Sequence, residues 1–314
     1  MSFKFLYKTI IKTISLTGFG LSSLISLAPP SKAENFNMQA CPEPGSANAT
    51  LTYINNTLEG ECLHTPDQYK LTIYEMGLCE SDPISTGIFN KIDNNCVQTM
   101  LSTSGTEVDL APGNSSSKTA GLPTAATRPA AGNYSHAYIL LSNAFKMKGS
   151  YQLADGTTYY SKAATDGSNR PFGAADTSIS AGEEHTDLVD NMYFGDEENG
   201  WDGVMSATDM PGGGKVAALL LKECVDDTCV GPSAIATSQT EVGRLLGVFE
   251  TNSGSPVVIS DASTGIEVEL IVKADPNDPS NSGGGYLLIG WDEGSGFDLR
   301  MFGSAPFKPK FTTF

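Results

Sequence analysis

A chain of 314 residues with 19 basic and 36 acidic side chains carries a formal net charge of −17 at pH 7. Such a surface repels phosphate backbones and anionic lipid headgroups, which argues against nucleic acid and membrane surfaces as partners; divalent cations, basic surfaces or plain solubility remain as what the charge serves. The 33 glycines and 17 prolines punctuate the chain with turns, and no amphipathic helical period is sustained for three turns, so the composition points to strands.

Lys4, Lys8 and Lys12 precede an apolar run from about Ile14 to Leu27, and Ser31-Lys32-Ala33 supplies the small-x-small pattern a signal peptidase accepts. The run is shorter than the roughly 18 to 20 apolar residues of a spanning helix and meets Pro29-Pro30. Residues 1–33 therefore read as a cleaved signal peptide, and the protein as secreted, periplasmic or cell-surface, with no membrane span once the leader is removed. Gly18-Phe19-Gly20-Leu21-Ser22-Ser23 lacks the glutamate that a type IV prepilin leader places after its cleaved glycine. Cleavage takes away four lysines and no acid, leaving 15 basic against 36 acidic side chains and a net charge of −21.

All six cysteines follow the leader, at Cys41, Cys62, Cys79, Cys96, Cys224 and Cys229, and an even number in an exported chain reads as disulfides. Their order suggests local closure, Cys41 with Cys62, Cys79 with Cys96 and Cys224 with Cys229. The last pair brackets Val225-Asp226-Asp227-Thr228, a turn that would bring its flanks together. Zinc would want paired Cys-x2-Cys knuckles, and the chain has none.

Residues 34–111 form a cysteine-rich β region. Leu51-Thr52-Tyr53-Ile54 is a candidate strand, and Tyr69 to Cys79 a strong one, with Leu71, Ile73 and Glu75 on one face and Thr72, Tyr74 and Met76 on the other. Asp82-Pro83 and Asp93-Asn94-Asn95 turn the chain, and Val108 to Leu110 is a short strand. Residues 112–131, rich in Gly, Ser, Pro, Thr and Ala, read as a linker or long surface loop.

The main β domain, 132–314, begins with strands at 134–141, 145–153 and 157–163, the last two joined by a hairpin turn at Asp155-Gly156. Residues 164–214 are the least regular part. Strands then follow at 216–222, 245–250, 256–260, 266–273, 286–291 and 297–302, separated by turn signals at 252–254, 263–265 and 277–285. The expected fold is all-β, an antiparallel sandwich-like arrangement in one or two domains. The final Phe314 could mark the last strand of an outer-membrane barrel, but Thr312, Lys310 and Lys308 would then face lipid.

Catalytic motifs are sparse. Of the three histidines, His64, His136 and His185, His136 adjoins Ser135, but neighbours on one strand point to opposite faces and so would not form a nucleophile–base pair. No Gly-x-Ser-x-Gly elbow, phosphate loop or His-Glu-x-x-His occurs. The run from Gly195 to Gly203 offers Asp196, Glu197, Glu198 and Asp202 among glycines, the oxygen ligands and flexibility of a Ca2+ loop, with Asp196, Glu198 and Asp202 as the candidate ligands. It departs from the EF-hand order, and a solvated acidic loop is the competing account. Asp275, Asn277, Asp278 and Asn281 form a second such cluster. Trp201 and Trp291 each neighbour an aspartate, an arrangement open to sugar binding or to simple core packing.

Tyr69-Lys70-Leu71-Thr72-Ile73-Tyr74-Glu75-Met76-Gly77-Leu78-Cys79, then Cys96, then Gly132-Asn133-Tyr134-Ser135-His136-Ala137-Tyr138 resembles a layout found in uncharacterised exported proteins of aquatic bacteria, over roughly residues 60–165. The resemblance implies an exported β domain with a disulfide after its first strand, and no activity. The expected function is that of a secreted or cell-surface structural protein without catalysis, able to associate with itself or with other surface proteins. The alternative is a secreted carbohydrate-active enzyme or a calcium-dependent binding module.

Overall fold

The structure, a computed structural model, describes residues 39–85, 88–91, 94–111, 127–163, 173–189, 203–210, 214–222, 235–251, 255–274, 277, 286–292 and 297–314. Its first element differs from expectation: residues 51–54 open a helix, α1 (Leu51–Thr57), and not a strand. The local reason is Thr50, whose backbone is extended and whose hydroxyl accepts the Tyr53 amide at 3.1 Å, so that an orphan donor of the first turn is satisfied. At the other end the amides of Leu58 and Gly60 both reach the Ile54 carbonyl, and Glu59 and Gly60 stand at φ 56° and 86°. The left-handed pair stops the helix.

Strands follow in chain order. The N-terminal part carries β1 (Glu61–His64), β2 (Gln68–Cys79), β3 (Ile84–Ser85), β4 (Ile88–Phe89) and β5 (Val97–Asp109). Next come β6 (Gly132–Tyr134), β7 (His136–Leu141), β8 (Ala144–Lys148), β9 (Ser150–Gln152) and β10 (Thr158–Lys162). The segment expected to be least regular contributes β11 (Gly173–Asp176), β12 (His185–Leu188) and β13 (Val204–Asp209). The remainder supplies β14 (Lys215–Lys222), β15 (Val242–Glu250), β16 (Val257–Ile259), β17 (Ile266–Ile271), β18 (Tyr286–Asp292), β19 (Phe297–Ser304) and β20 (Lys308–Thr313). The all-β antiparallel expectation holds, with α1 the single α-helix among the described residues.

Two sheets carry the fold. The larger runs β12-β8-β2-β7-β15-β14-β13, with β5 on the opposite edge of β2, and the smaller runs β1-β18-β19-β11-β10-β9. Strands from before and after residues 112–131 thus share both sheets: β1 lies beside β18, and β2 between β5 and β7. The described residues from 39 to 314 form one compact unit. The hairpin at Asp155-Gly156 is present, with Gly156 at φ 90° and the Thr157 amide donated to the Asp155 carboxylate at 2.8 Å.

The main core joins Leu71, Ile73, Ile139, Leu141 and Phe145 of the larger sheet to Tyr151, Tyr159, Leu288, Leu299 and Phe302 of the smaller, with Ile54 of α1 among them. Alternate residues on the central strands, Tyr138, Leu140, Leu219, Leu221, Leu246 and Val248, form a second cluster with Phe89. Because both faces are covered, β7 and β14 are apolar almost without alternation.

One bulge decides what the outer face carries. Ile73 stands opposite Leu141, but Glu75 stands opposite Leu140, so Tyr74 is an extra residue in β2. An inserted residue reverses the side on which every later side chain emerges. Beyond it, Met76 joins the main core, whereas Glu75 turns to the outer face beside Tyr138. The expectation that Leu71, Ile73 and Glu75 share a face fails for this reason.

Candidate functional site

The bulge delivers a carboxylate into an apolar layer, where an ion without partners would cost several kcal/mol. Glu75 is 2 % exposed at its side chain and receives three hydrogen bonds. Lys91 Nζ donates to its two oxygens at 2.9 and 3.2 Å, and the Tyr138 phenol donates to Oε1 at 2.5 Å. Burial, and then the Glu75 charge, push that phenol far above the ordinary tyrosine range. The Phe89 ring meets Tyr138 edge-on at a centroid distance of 5.2 Å. Gly77, opposite Tyr138 in the neighbouring strand, gives the ring its room.

Beside this pair opens a cleft of about 690 Å3. Glu75, Lys91 and Tyr138 line its inner part, Glu80 and Asn95 its rim, and Val97 and Gln98 of β5 one wall. Asn95 stands at φ 49° and its Nδ2 donates to Glu80 Oε2 at 2.9 Å, so rim carboxylate and rim amide hold one another in place. Tyr134, whose phenol donates to the Ala130 carbonyl at 3.0 Å, closes another side. The disulfide Cys79–Cys96 ties the end of β2 to the start of β5 at the edge of the cleft, and Cys41–Cys62 is the other bridge among the described residues. Both are the local pairings expected from cysteine order. The sequence contained a signal for the site: a glutamate within a strand apolar on both faces demands a buried partner, and the strand pattern could not say that the partner is Lys91.

The histidines fall in three settings. Ser135 belongs to neither β6 nor β7, so strand alternation does not separate it from its neighbour, and its Oγ lies 2.8 Å from His136 Nδ1. The two side chains are neighbours, so the opposite-face argument against a nucleophile–base pair does not apply. The hydroxyl donates to the Glu80 carbonyl at 2.8 Å, which leaves the imidazole to donate at Nδ1, the reverse of a general base's role. His64 donates from Nε2 to the Ser150 carbonyl at 2.8 Å and packs edge-on against Tyr151, and burial lowers its pKa to about 4. Burial likewise takes His185, on β12, to about 4.

Asp196, Glu198 and Asp202, the candidate calcium ligands, lie outside the described residues, as do Cys224, Cys229, Trp201, Asp275, Asp278 and Asn281. Asn277 is an exposed turn residue, and Trp291 lies in β18 opposite Asp298. Among the described residues no cluster of three or more His, Cys, Asp or Glu side chains could hold a metal ion. No described helix is long and apolar enough to cross a membrane.

No family model, no curated protein and no solved structure matches this chain.

Proposed function

We propose that this protein works outside the cytoplasm as a non-catalytic structural component of the cell surface or its surroundings, and that it assembles with copies of itself. The observation that carries this reading is β5. It is 13 residues long, and among the described strands it pairs on one side only, with β2. From Val97 to Thr106 it contains neither a charge nor a proline. The strands at the ends of the two sheets, β1, β9, β12 and β13, are three to six residues long. Bulges at Thr99 and at residues 102–105 interrupt its ladder with β2, so the edge it offers is uncharged but broken; its backbone donors and acceptors face no other described strand, whereas proteins that stay monomeric commonly blunt such edges with lysine, proline, brevity or bulges. In a chain of net charge −17 it is also a place where two copies can approach without like charges facing. The disulfides and the basic-apolar leader support an address outside the cytoplasm.

The test is cell fractionation, followed by sedimentation velocity and electron microscopy of the purified protein beside its Leu101→Lys variant. Assembly in the wild type that the added charge dissolves, with the fold retained, is the expected result. A wild type that is monomeric at every concentration, released to the medium and reproducibly hydrolytic, defeats the reading in favour of a secreted enzyme.

A further inference from the structure

We propose that the cleft beside the Glu75–Lys91 pair is a binding site for a neutral polyhydroxylated ligand, a sugar unit of an oligosaccharide, held by Glu80, Asn95 and Gln98. The inference does not rest on self-assembly and would stand for a monomer. Its volume of about 690 Å3 lies within the range of roughly 300 to 1,000 Å3 typical of small-molecule sites.

The lining selects the class. A free anion is disfavoured by two carboxylates, Glu75 and Glu80, against the single ammonium of Lys91. A bare divalent cation would meet Glu75 already engaged by Lys91 and Tyr138, which leaves exposed Glu80 as the single carboxylate on offer, too few for a divalent site. A wholly apolar ligand would strip water from the exposed Glu80 and Asn95 side chains without replacing their hydrogen bonds. A ligand whose groups each donate and accept satisfies carboxylate and amides alike, and hydroxyls do both.

The wall is cross-linked, which lowers the ordering cost of binding. Asn95 is fixed by its bond to Glu80, Gln98 sits in β5 opposite Gly77, and the Cys79–Cys96 bridge joins the two strand ends that carry these groups. Tyr134, buried and bonded to Ala130, braces the opposite side.

The experiment is a titration of the isotope-labelled exported protein with neutral gluco-, manno-, galacto- and xylo-oligosaccharides, read on the side-chain amide resonances of Asn95 and Gln98. Saturable shifts of these two signals with at least one series are expected. Glu80→Ala should weaken the binding by about tenfold or more, the equivalent of one lost hydrogen bond to a charged group, and Asn95→Ala by about fivefold, the equivalent of one neutral hydrogen bond. Exposed Val258→Ser, placed on β16, should leave it unchanged. Both cleft substitutions are at exposed positions, and the melting temperature of each variant shows that the fold survives. Absence of shifts with every series, shifts confined to other residues, equal affinity in wild type and both cleft variants, or saturation by calcium or a basic peptide in place of the sugars would each overturn the proposal.

Discussion

Single side chains in this protein are informative where they are charged and buried. Lys91 is 16 % exposed and Glu75 2 %, so removing one partner strands the other in a poorly solvated place. Lys91→Met is expected to destabilise by roughly 3 to 5 kcal/mol, and Lys91→Met combined with Glu75→Leu to recover much of the loss, because the cost lies in the orphaned charge. Urea unfolding of the two single variants and the double variant checks this. His64 yields a pH prediction. Its folded pKa of about 4 lies below the ordinary 6.5, so the unfolded chain takes up the proton first as pH falls. The stability it contributes is complete above pH 6.5 and drains away between 6.5 and 4, by up to about 3 kcal/mol at 1.36 kcal/mol per pKa unit. His185 acts with the same sign in the same window. Replacing His64 by glutamine should flatten the fall in denaturation midpoint across that interval relative to wild type.

At the scale of elements, the decisive feature is the bulge in β2. It lets one strand serve two layers, with Ile73 and Met76 in the main core and Glu75 and Cys79 in the outer cluster. Close packing across the same strand makes Gly77 a sensitive position, since a Cβ there would lie 2.3 Å from the Tyr138 ring, far inside contact distance. Gly77→Ala should therefore destabilise by about 1 to 3 kcal/mol through overpacking, and Tyr138→Leu should relieve part of it, both read from thermal melts. Pro309 sits in β20, which among the described strands pairs only with β17, in keeping with a residue that cannot donate to a ladder on both sides. Sequence pattern located β2, β10, β14, β16, β17, β18 and β19 to within two residues, and the Asp155-Gly156 hairpin, because period-two alternation and turn chemistry are local; the runs expected as single strands at 134–141 and 145–153 each break in two, at Ser135 and Gly149, with their halves in different sheets. It missed α1, where a cap outweighed a β-like run. It also missed most of β5, whose polar stretch from Gln98 to Thr106 has no alternation to read.

For the whole molecule, the two bridges among the described residues act early in the chain. Cys41–Cys62 encloses α1 at a sequence separation of 21, and Cys79–Cys96 encloses β3 and β4 at a separation of 17. Loops of that size are worth about 2 to 4 kcal/mol each through the unfolded state. Cys79→Ser with Cys96→Ser should lower stability by that amount and also loosen Asn95 and Gln98. Amide hydrogen exchange should thus rise around residues 91–98 more than around α1, whereas losing the Cys41–Cys62 bridge should do the opposite.

By itself the sequence determined what depends on neighbours along the chain. Those are the acidic charge, the strand-forming alternation, the tight turns, and the local order of cysteines that makes 41 with 62 and 79 with 96 the short closures. Only the tertiary structure decided which strands are neighbours, because sheet order is set by the burial of both faces at once and leaves no periodic mark. It was this packing that placed β1 beside β18, turned Glu75 outward through a single extra residue, and brought to it Lys91 and Asn95 from the segment before β5 and Tyr138 from β7. A site assembled from long-range contacts is invisible to spacing rules, which is why the acidic runs stood out in the sequence and the cleft did not.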